Sequence, residues 1–156
     1  MAWSGSKVFR PLVADLLSNT AAFDLDTDVP KVALYNDTIT PSSDVTPVLS
    51  AYNGAASQWV TGGEVTDTNW PAGGRPLVSA AVSTGAGFVM YDAADTAGAG
   101  NVTLASVFGC LVYDDTITTP QADQGLSYNY FGGTQGVTAG TFTVVWHANG
   151  IFRFTF

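Results

Sequence analysis

The sequence predicts an all-β fold, built as an antiparallel sandwich or barrel, with one short helix near the N-terminus. First, apolar and polar residues alternate with a period of two through most of the chain after Asn19, as in strands with one buried face. Second, Gly-rich and Asn-Gly turns separate these runs. Many short strands joined by such turns are typical of Ig-like and jelly-roll-like domains. Third, the length of 156 residues suffices for one domain with its own core.

Residues 8–18 have the periodicity of a helix, because their apolar side chains recur three and four positions apart. Pro11 suits the first turn of a helix, and Asn19 tolerates the left-handed conformation that often ends one. We therefore expect a helix from about Arg10 to about Asn19. The chain then divides into an N-terminal arm with this helix, residues 1–19, and a single β domain, residues 20–156.

The alternating segments predict the strands of this β domain. They are residues 31–35, 77–83, 87–91, 102–105, 107–113, 126–131, 141–147 and 151–156. Asn149-Gly150 lies between the last two segments and is a strong hairpin signal, so we expect those two strands to pair. Residues 41–76 show few strand signals and exceed the usual length of a loop, so they are either functional or contain unrecognised strands.

One short segment of the sequence occurs twice. Residues 34–40 read LYNDTIT and residues 112–118 read VYDDTIT, and a proline follows each. One interpretation, which the sequence slightly favours, is convergent turn chemistry. The other is a pair of equivalent strands that are neighbours in one sheet.

Charge excludes several classes of function. Only 12% of the residues are charged, and 13 acids against 5 bases give a formal net charge of -8. The five bases are scattered, whereas nucleic-acid binding needs clustered Lys and Arg, so we expect no nucleic-acid partner. The same deficit disfavours anionic lipid, and no apolar run approaches the roughly 18 residues of a membrane span, so we expect no membrane contact.

An acidic run precedes the first predicted strand of the β domain. Asp24, Asp26 and Asp28 resemble the start of a calcium loop, but the sixth and twelfth positions hold Val29 and Tyr35 where that loop needs Gly and Glu. The simpler interpretation is a solvated lead-in to the strand. We expect no metal site here, although calcium binding stays an open alternative.

Candidate catalytic residues are isolated in this sequence. His147 is the single histidine, expected on a strand, and Glu64 is the single glutamate, with Asp67 close to it. A general base needs a nucleophile and an orienting acid, and no Gly-x-Ser-x-Gly elbow is present. Cys110 lies in an apolar segment and fits a small buried residue. We therefore expect no enzyme, no catalytic residues and no cofactor.

Aromatic residues are the candidate contacts with partners. Trp3 and Phe9 lie in an N-terminal arm that is expected to reach out and order on a partner. Trp59 and Trp70 lie in the irregular region, where each is either an exposed partner contact or a loop anchor folded back onto the core. Phe156 ends a largely apolar strand that needs a covering partner. Trp70 and Tyr130 are also candidate platforms for stacking on sugars.

Several segments together resemble a family of small structural proteins of tailed bacteriophages. The resemblance spans roughly residues 20–152, and its motifs are only moderately specific. The matching segments are DLDTDVPKVALYNDTITP at 24–41, the Glu-Val pair at 64–65, AGGRPL at 72–77, FVMYDAADT at 88–96 and VTAGTFTVVWHANGI at 137–151. The last of these is similar to the closing hairpin of that family.

The resemblance implies a non-enzymatic component of the virion, assembled in the host cytoplasm. Because the chain is short, acidic and has an N-terminal arm, a capsid decoration (cement) protein on the outer capsid surface is the first expectation. Its partners would be the major capsid protein and copies of itself. The alternatives are a tail-tube, tail-tip or fibre component, or a glycan-binding module for host recognition.

Overall fold

A computed structural model describes residues 3–60 and 62–156 and confirms the all-β fold. Strands make up 42% of the chain and helices 8%, so the helices are minor additions to the sheets. The strands are β1 (Lys7–Val8), β2 (Pro30–Tyr35), β3 (Arg75–Pro76), β4 (Val78–Gly85), β5 (Phe88–Ala94), β6 (Thr96–Ala97), β7 (Val102–Asp114), β8 (Gly125–Gly140), β9 (Thr143–Val144) and β10 (Phe152–Thr155).

The strands form three antiparallel groups. The largest sheet has the order β1-β8-β7-β2-β3, and the long strands β7 and β8 form its centre. A second sheet has the order β10-β5-β4, and β6 pairs with β9. The two segments predicted at 102–105 and 107–113 are one strand, β7, whose pairing with β8 is interrupted by irregularities in register.

The predicted helix is present as α1 (Arg10–Ser18). Pro11 lies in its first turn, and Asn19 ends it in the left-handed conformation, with φ of 52°. A second helix, the four-residue α2 (Pro47–Ser50), lies in the irregular region and was not predicted. No helix in the described part of the chain is long and apolar enough to cross a membrane.

The predicted hairpin between the last two strands is wrong. Asn149-Gly150 does form a turn, in which the Gly150 amide donates to the His147 carbonyl at 2.7 Å. After this turn the chain forms β10, which pairs with the earlier strand β5, in the register Phe152↔Tyr91, and not with β9. The Phe152 and Tyr91 rings pack with centroids 5.3 Å apart, so this pairing buries aromatic surface.

The N-terminal arm does not reach away from the domain over its described residues. Lys7 and Val8 pair with β8, and Trp3 Nε1 donates a hydrogen bond to the Asn36 carbonyl at 2.8 Å. Residues 1 and 2 of the expected arm lie outside the described residues. The segment from Trp3 to α1 is therefore packed on the β domain.

The repeated segments are neighbours in one sheet, since β2 pairs with β7. The pairs Val32↔Val112 and Leu34↔Cys110 are related by a local twofold axis at Ala33↔Leu111. The turns after the two strands also match, because Thr38 N donates to Asn36 Oδ1 and Thr116 N donates to Asp114 Oδ1. The disfavoured interpretation, that of neighbouring strands, is the one that the structure supports, and the turn chemistry is shared as well.

The buried side chains form two clusters. The first lies between the sheets and includes Leu12 of α1, Leu34, Val112 and Phe152. The second is aromatic and lies where the N-terminal segment covers the large sheet; its buried members are Trp3, Phe9, Ala33, Tyr35, Ile39, Trp59, Leu111, Tyr113 and Tyr128.

Candidate functional site

Trp3, Phe9 and Trp59 are not surface contacts, which corrects the expectation from sequence. All three are buried, with Trp59 at the centre of the aromatic cluster. The ring centroid of Trp59 lies 6.1 Å from that of Trp3 and 6.2 Å from that of Phe9. The Tyr35 hydroxyl also donates to the Trp59 carbonyl at 2.8 Å. Burying these large rings against one another removes more apolar surface from water than an exposed arm does.

Trp70 is also buried, and its ring packs edge-on against Phe142 at 5.8 Å. It is a loop anchor and not a platform for a sugar. Tyr130, the other candidate platform, stacks on Trp3 at 6.4 Å. Phe156 is the one predicted contact that the structure leaves exposed, at 88%.

An open cleft of about 300 Å³ lies between α1, the turn at residues 23–26 and the β10-β5-β4 sheet. We name it the α1 cleft. Its lining is mainly apolar and includes Leu16, Phe23, Val82, Val89 and Phe154.

The alternation of the strands explains why the sheet presents an apolar surface to the α1 cleft. In the observed register Val82 and Phe152 lie opposite Tyr91, and Phe154 lies opposite Val89, so these residues share one face of the sheet. Leu16 comes from the last turns of α1 and is 43% exposed. Helix α1 thus covers only part of the apolar face of this sheet.

The acidic run forms a tight turn beside the α1 cleft. The backbone amides of Thr27 and Asp28 both donate to the Asp24 carbonyl, and Asp28 Oδ2 accepts a hydrogen bond from the Asp24 amide at 2.8 Å. Asp26 Oδ1 accepts a hydrogen bond from the Val82 amide at 2.7 Å. The side chains of Asp26 and Asp28 therefore fix the turn internally and hold it to β4.

A carboxyl pair lies behind this turn. Asp114 is fully buried; its Oδ1 accepts hydrogen bonds from the amides of Thr116 and Ile117, at 2.8 and 3.3 Å. Its Oδ2 is buried with no hydrogen-bond partner among the described residues, and the carboxyl group of Asp28 is its neighbour. Burial raises the pKa of Asp114 to about 6, and the Asp28 carboxyl group adds to the shift by repulsion and by accepting a hydrogen bond from the protonated form, although the two backbone amides oppose the shift.

Tyr91 connects the α1 cleft to this carboxyl pair. Its side chain lines the cleft, and its hydroxyl group is buried without a hydrogen-bond partner in the described part of the chain. Burial raises the pKa of Tyr91, and the negative charges of Asp114, Asp28 and Asp26 raise it further. The interior side of the cleft is therefore an environment of negative potential.

The residues that the sequence singled out for chemistry each support a local turn. Glu64 accepts hydrogen bonds from the Tyr52 hydroxyl and the Gly73 amide, both at 2.8 Å, and burial raises the pKa of its carboxyl group. Asp67 accepts hydrogen bonds from the amides of Asn69 and Thr103, which lower its pKa. The carboxyl groups of Glu64 and Asp67 thus hold backbone amides in place.

His147 lies in the turn after β9 and not on a strand, which corrects the prediction. The residue is exposed, and its Nδ1 accepts a hydrogen bond from the Asn149 amide at 3.0 Å. Burial raises the pKa of Cys110 to about 12, so this thiol stays protonated at neutral pH. Over residues 3–60 and 62–156 no group of three or more His, Cys, Asp or Glu side chains is placed to hold a metal ion.

The α1 cleft and the buried carboxyl group of Asp114 were not expected from the sequence. The turn chemistry expected for residues 112–118 accounts for the Oδ1 of Asp114 but not for its buried Oδ2. The repeated segment contained a usable signal, because the neutral Asn36 stands where Asp114 stands in the second copy. Comparisons with family models, with curated proteins and with solved structures found no match for the chain.

Proposed function

We propose that this chain is a non-catalytic structural protein of a tailed-phage virion, and specifically a capsid decoration protein on the outer surface of the shell. The observation that carries the proposal is strand β4, which has the sequence VSAAVSTG and carries no charged side chain. It lies at the edge of its sheet, and seven of its eight residues are exposed. Val78, at 60% exposed, is one of two large apolar side chains on it.

An exposed edge strand without charged side chains is suited to a surface that another protein covers. Edge strands of free proteins are commonly protected by charged side chains or proline, because bare edges pair with other chains. Here the carboxylate of Asp26, in the neighbouring turn, accepts a hydrogen bond from one backbone amide of β4. The strand itself contributes no charge. A partner that covers this sheet removes the exposed valines from water and stabilises the assembled state by mass action.

Other exposed apolar side chains agree with a protein that works in contact with others. Leu17 is 85% exposed and Val145 is 70% exposed, in addition to the terminal Phe156. Single exposed apolar residues are ordinary, but here they accompany an unusually small number of surface charges. The partners in the proposal are the major capsid protein and further copies of this chain.

Particle fractionation tests the proposed location. Phage particles from the source of the gene are separated into capsids and tails, and each fraction is examined by mass spectrometry and immunogold labelling. We expect the chain on capsids in many regularly spaced copies. Its presence on tails alone overturns the decoration role in favour of a tail-tube, tail-tip or fibre component, and its absence from both fractions overturns the virion role.

A charge placed on β4 tests the surface that carries the proposal. Ala81→Lys puts a cation in the middle of the exposed strand, and Ala55→Lys puts the same cation on an exposed loop. We expect Ala81→Lys to prevent incorporation into particles while Ala55→Lys incorporates normally, with both variants folded by circular dichroism. Equal incorporation of the two variants removes β4 from the contact.

A further inference from the structure

We propose that the α1 cleft binds a segment of a partner protein in which a large apolar side chain is flanked by Lys or Arg. This inference deepens the proposed structural role and rests on it for the setting, since it names the chemistry of the partner at one surface. The shape and lining of the cleft and the sign of its charge both point to such a segment.

The α1 cleft leaves unfilled space beside exposed apolar side chains. The cleft has a volume of about 300 Å³, which admits one or two large side chains. Leu16 and Val82 on its margins are 43% and 37% exposed, and Val89 and Phe154 inside it are only half-buried. Insertion of an aromatic or aliphatic side chain completes the burial of surfaces that α1 leaves uncovered.

The charge of the cleft selects the flanking residues of the partner. Among the described residues that line it, the charged ones are Asp24 and Asp26, and both are exposed. Behind them the carboxyl groups of Asp28 and Asp114 reinforce the same sign. An apolar side chain flanked by cations gains attraction at this rim, whereas an acidic segment is repelled.

The negative charge at the rim of the cleft disfavours a second copy of this chain as the occupant. The chain has 13 acids and 5 bases, so most of its surfaces bring further negative charge to the rim. Two of the bases, Arg10 and Lys31, are already in salt bridges of 3.0 and 2.7 Å, and Arg153 lies over the Phe88 ring. A basic segment of a different protein is therefore the better complement.

A titration of the full chain with three short peptides tests the proposal. The probes are acetyl-Gly-Lys-Phe-Lys-Gly-amide, its Glu-Phe-Glu counterpart and its Lys-Ala-Lys counterpart, observed through ¹H–¹⁵N spectra of the labelled protein. We expect the Lys-Phe-Lys peptide alone to saturate, with shifts confined to the amides around the α1 cleft, and its affinity to fall with added salt. Equal response to Lys-Phe-Lys and Glu-Phe-Glu, or shifts scattered over the surface, overturns it.

Two charge reversals give the matched comparison. Asp24→Lys alters the rim, and Asp37→Lys alters an exposed aspartate beyond the opposite end of β2. We expect Asp24→Lys to lower the affinity for the Lys-Phe-Lys peptide about fivefold, as for the loss of exposed ion pairs. We expect Asp37→Lys to leave that affinity unchanged. Val82→Ser leaves all the acidic residues in place. We expect it to lower the affinity for the same peptide because it removes an apolar contact. Unchanged affinity in both cleft variants overturns the site.

The outcome is separable from that of the proposed function. A chain that is present on capsids but binds none of the peptides keeps its structural role and loses this partner chemistry. A chain that binds the Lys-Phe-Lys peptide but is absent from virions keeps the site and loses the virion setting. If the amides of the cleft shift with protein concentration in the absence of peptide, a second copy occupies it and the basic-partner proposal is wrong.

Discussion

Asp28 and Asp114 bring two carboxyl groups together at the base of the acidic turn, and the Oδ2 of Asp114 is buried without a donor in the described structure. Two carboxyl groups in this arrangement share a hydrogen bond only when one of them is protonated. The pair therefore couples the packing of the turn to pH. Because the turn also lines the α1 cleft through Asp24 and Asp26, the coupling reaches the surface that we assign to a partner.

The first prediction concerns the pH dependence of stability. The pKa of Asp114 is raised in the folded chain from an ordinary 3.8 to about 6. The folded state thus holds this proton more tightly than the unfolded state, so its stabilising effect is full at low pH and is lost as pH rises through about 6. We expect Asp114→Asn, which keeps an acceptor and adds a donor, to gain stability relative to the parent chain between about pH 4 and pH 7.

Urea denaturation over that pH range measures the difference. Asp37→Asn is the control, because Asp37 is an exposed aspartate in the matching turn after β2. The difference between the Asp114→Asn variant and the parent is expected to grow with pH, and the Asp37→Asn difference to stay flat. A constant offset for Asp114→Asn contradicts the proposed titration.

The second prediction concerns the edge of β4. The Asp26 carboxylate accepts a hydrogen bond from the Val82 amide. The substitution Asp26→Ala therefore removes an exposed hydrogen bond and uncovers part of the edge strand. We expect a loss of about 0.5–1 kcal/mol in the free energy of unfolding and a clear increase in self-association. Urea denaturation and sedimentation velocity over a concentration series measure these effects. Asp37→Ala is the control, and equal association of the two variants refutes the role of Asp26 at the edge.

The sequence predicted those elements whose signals are local. The start and end of α1 were predictable because Pro11 and Asn19 act within the helix itself. Strand β2 was predictable because its last four residues, 32–35, are apolar in succession, as in a strand buried on both faces. In each case the determining residues lie inside the element.

The errors arose where distant residues decide the outcome. The Asn149-Gly150 turn is real, but the partner of Phe152 is Tyr91, some sixty positions earlier in the chain. The burial of Trp59 depends on Trp3 and Tyr35, which no periodicity connects to it. The α1 cleft was not predictable for the same reason, since one helix, one turn and three strands each contribute part of its lining.

The third prediction tests the docking of the N-terminal segment. Trp3 is buried among Trp59, Tyr128 and Tyr130, and its Nε1 donates to the Asn36 carbonyl. We expect Trp3→Ala to lower the free energy of unfolding by about 3–4 kcal/mol and to speed hydrogen exchange along β1. Phe156→Ala, which removes an exposed ring, is expected to change stability by less than about 0.5 kcal/mol. The reverse order of the two effects implies that the N-terminal segment is not packed as described.

The fourth prediction concerns the backbone beneath Trp3. A Cβ atom at Gly109 would lie 2.5 Å from Trp3 Cζ3 and would also contact the Asn129 carbonyl oxygen, whereas a Cβ at Gly5 meets no heavy atom within 4 Å. We expect Gly109→Ala to lower the free energy of unfolding by about 2 kcal/mol or more by overpacking, and Gly5→Ala to be nearly neutral.

Because part of the clash is with Trp3, combining Gly109→Ala with Trp3→Leu should lower the free energy of unfolding by less than the sum of the two single changes. Urea denaturation of the four chains in this double-mutant cycle measures the coupling. Strictly additive costs would mean that Trp3 does not pack over Gly109, because a ring that has moved away leaves nothing for the new methyl group to meet on that side.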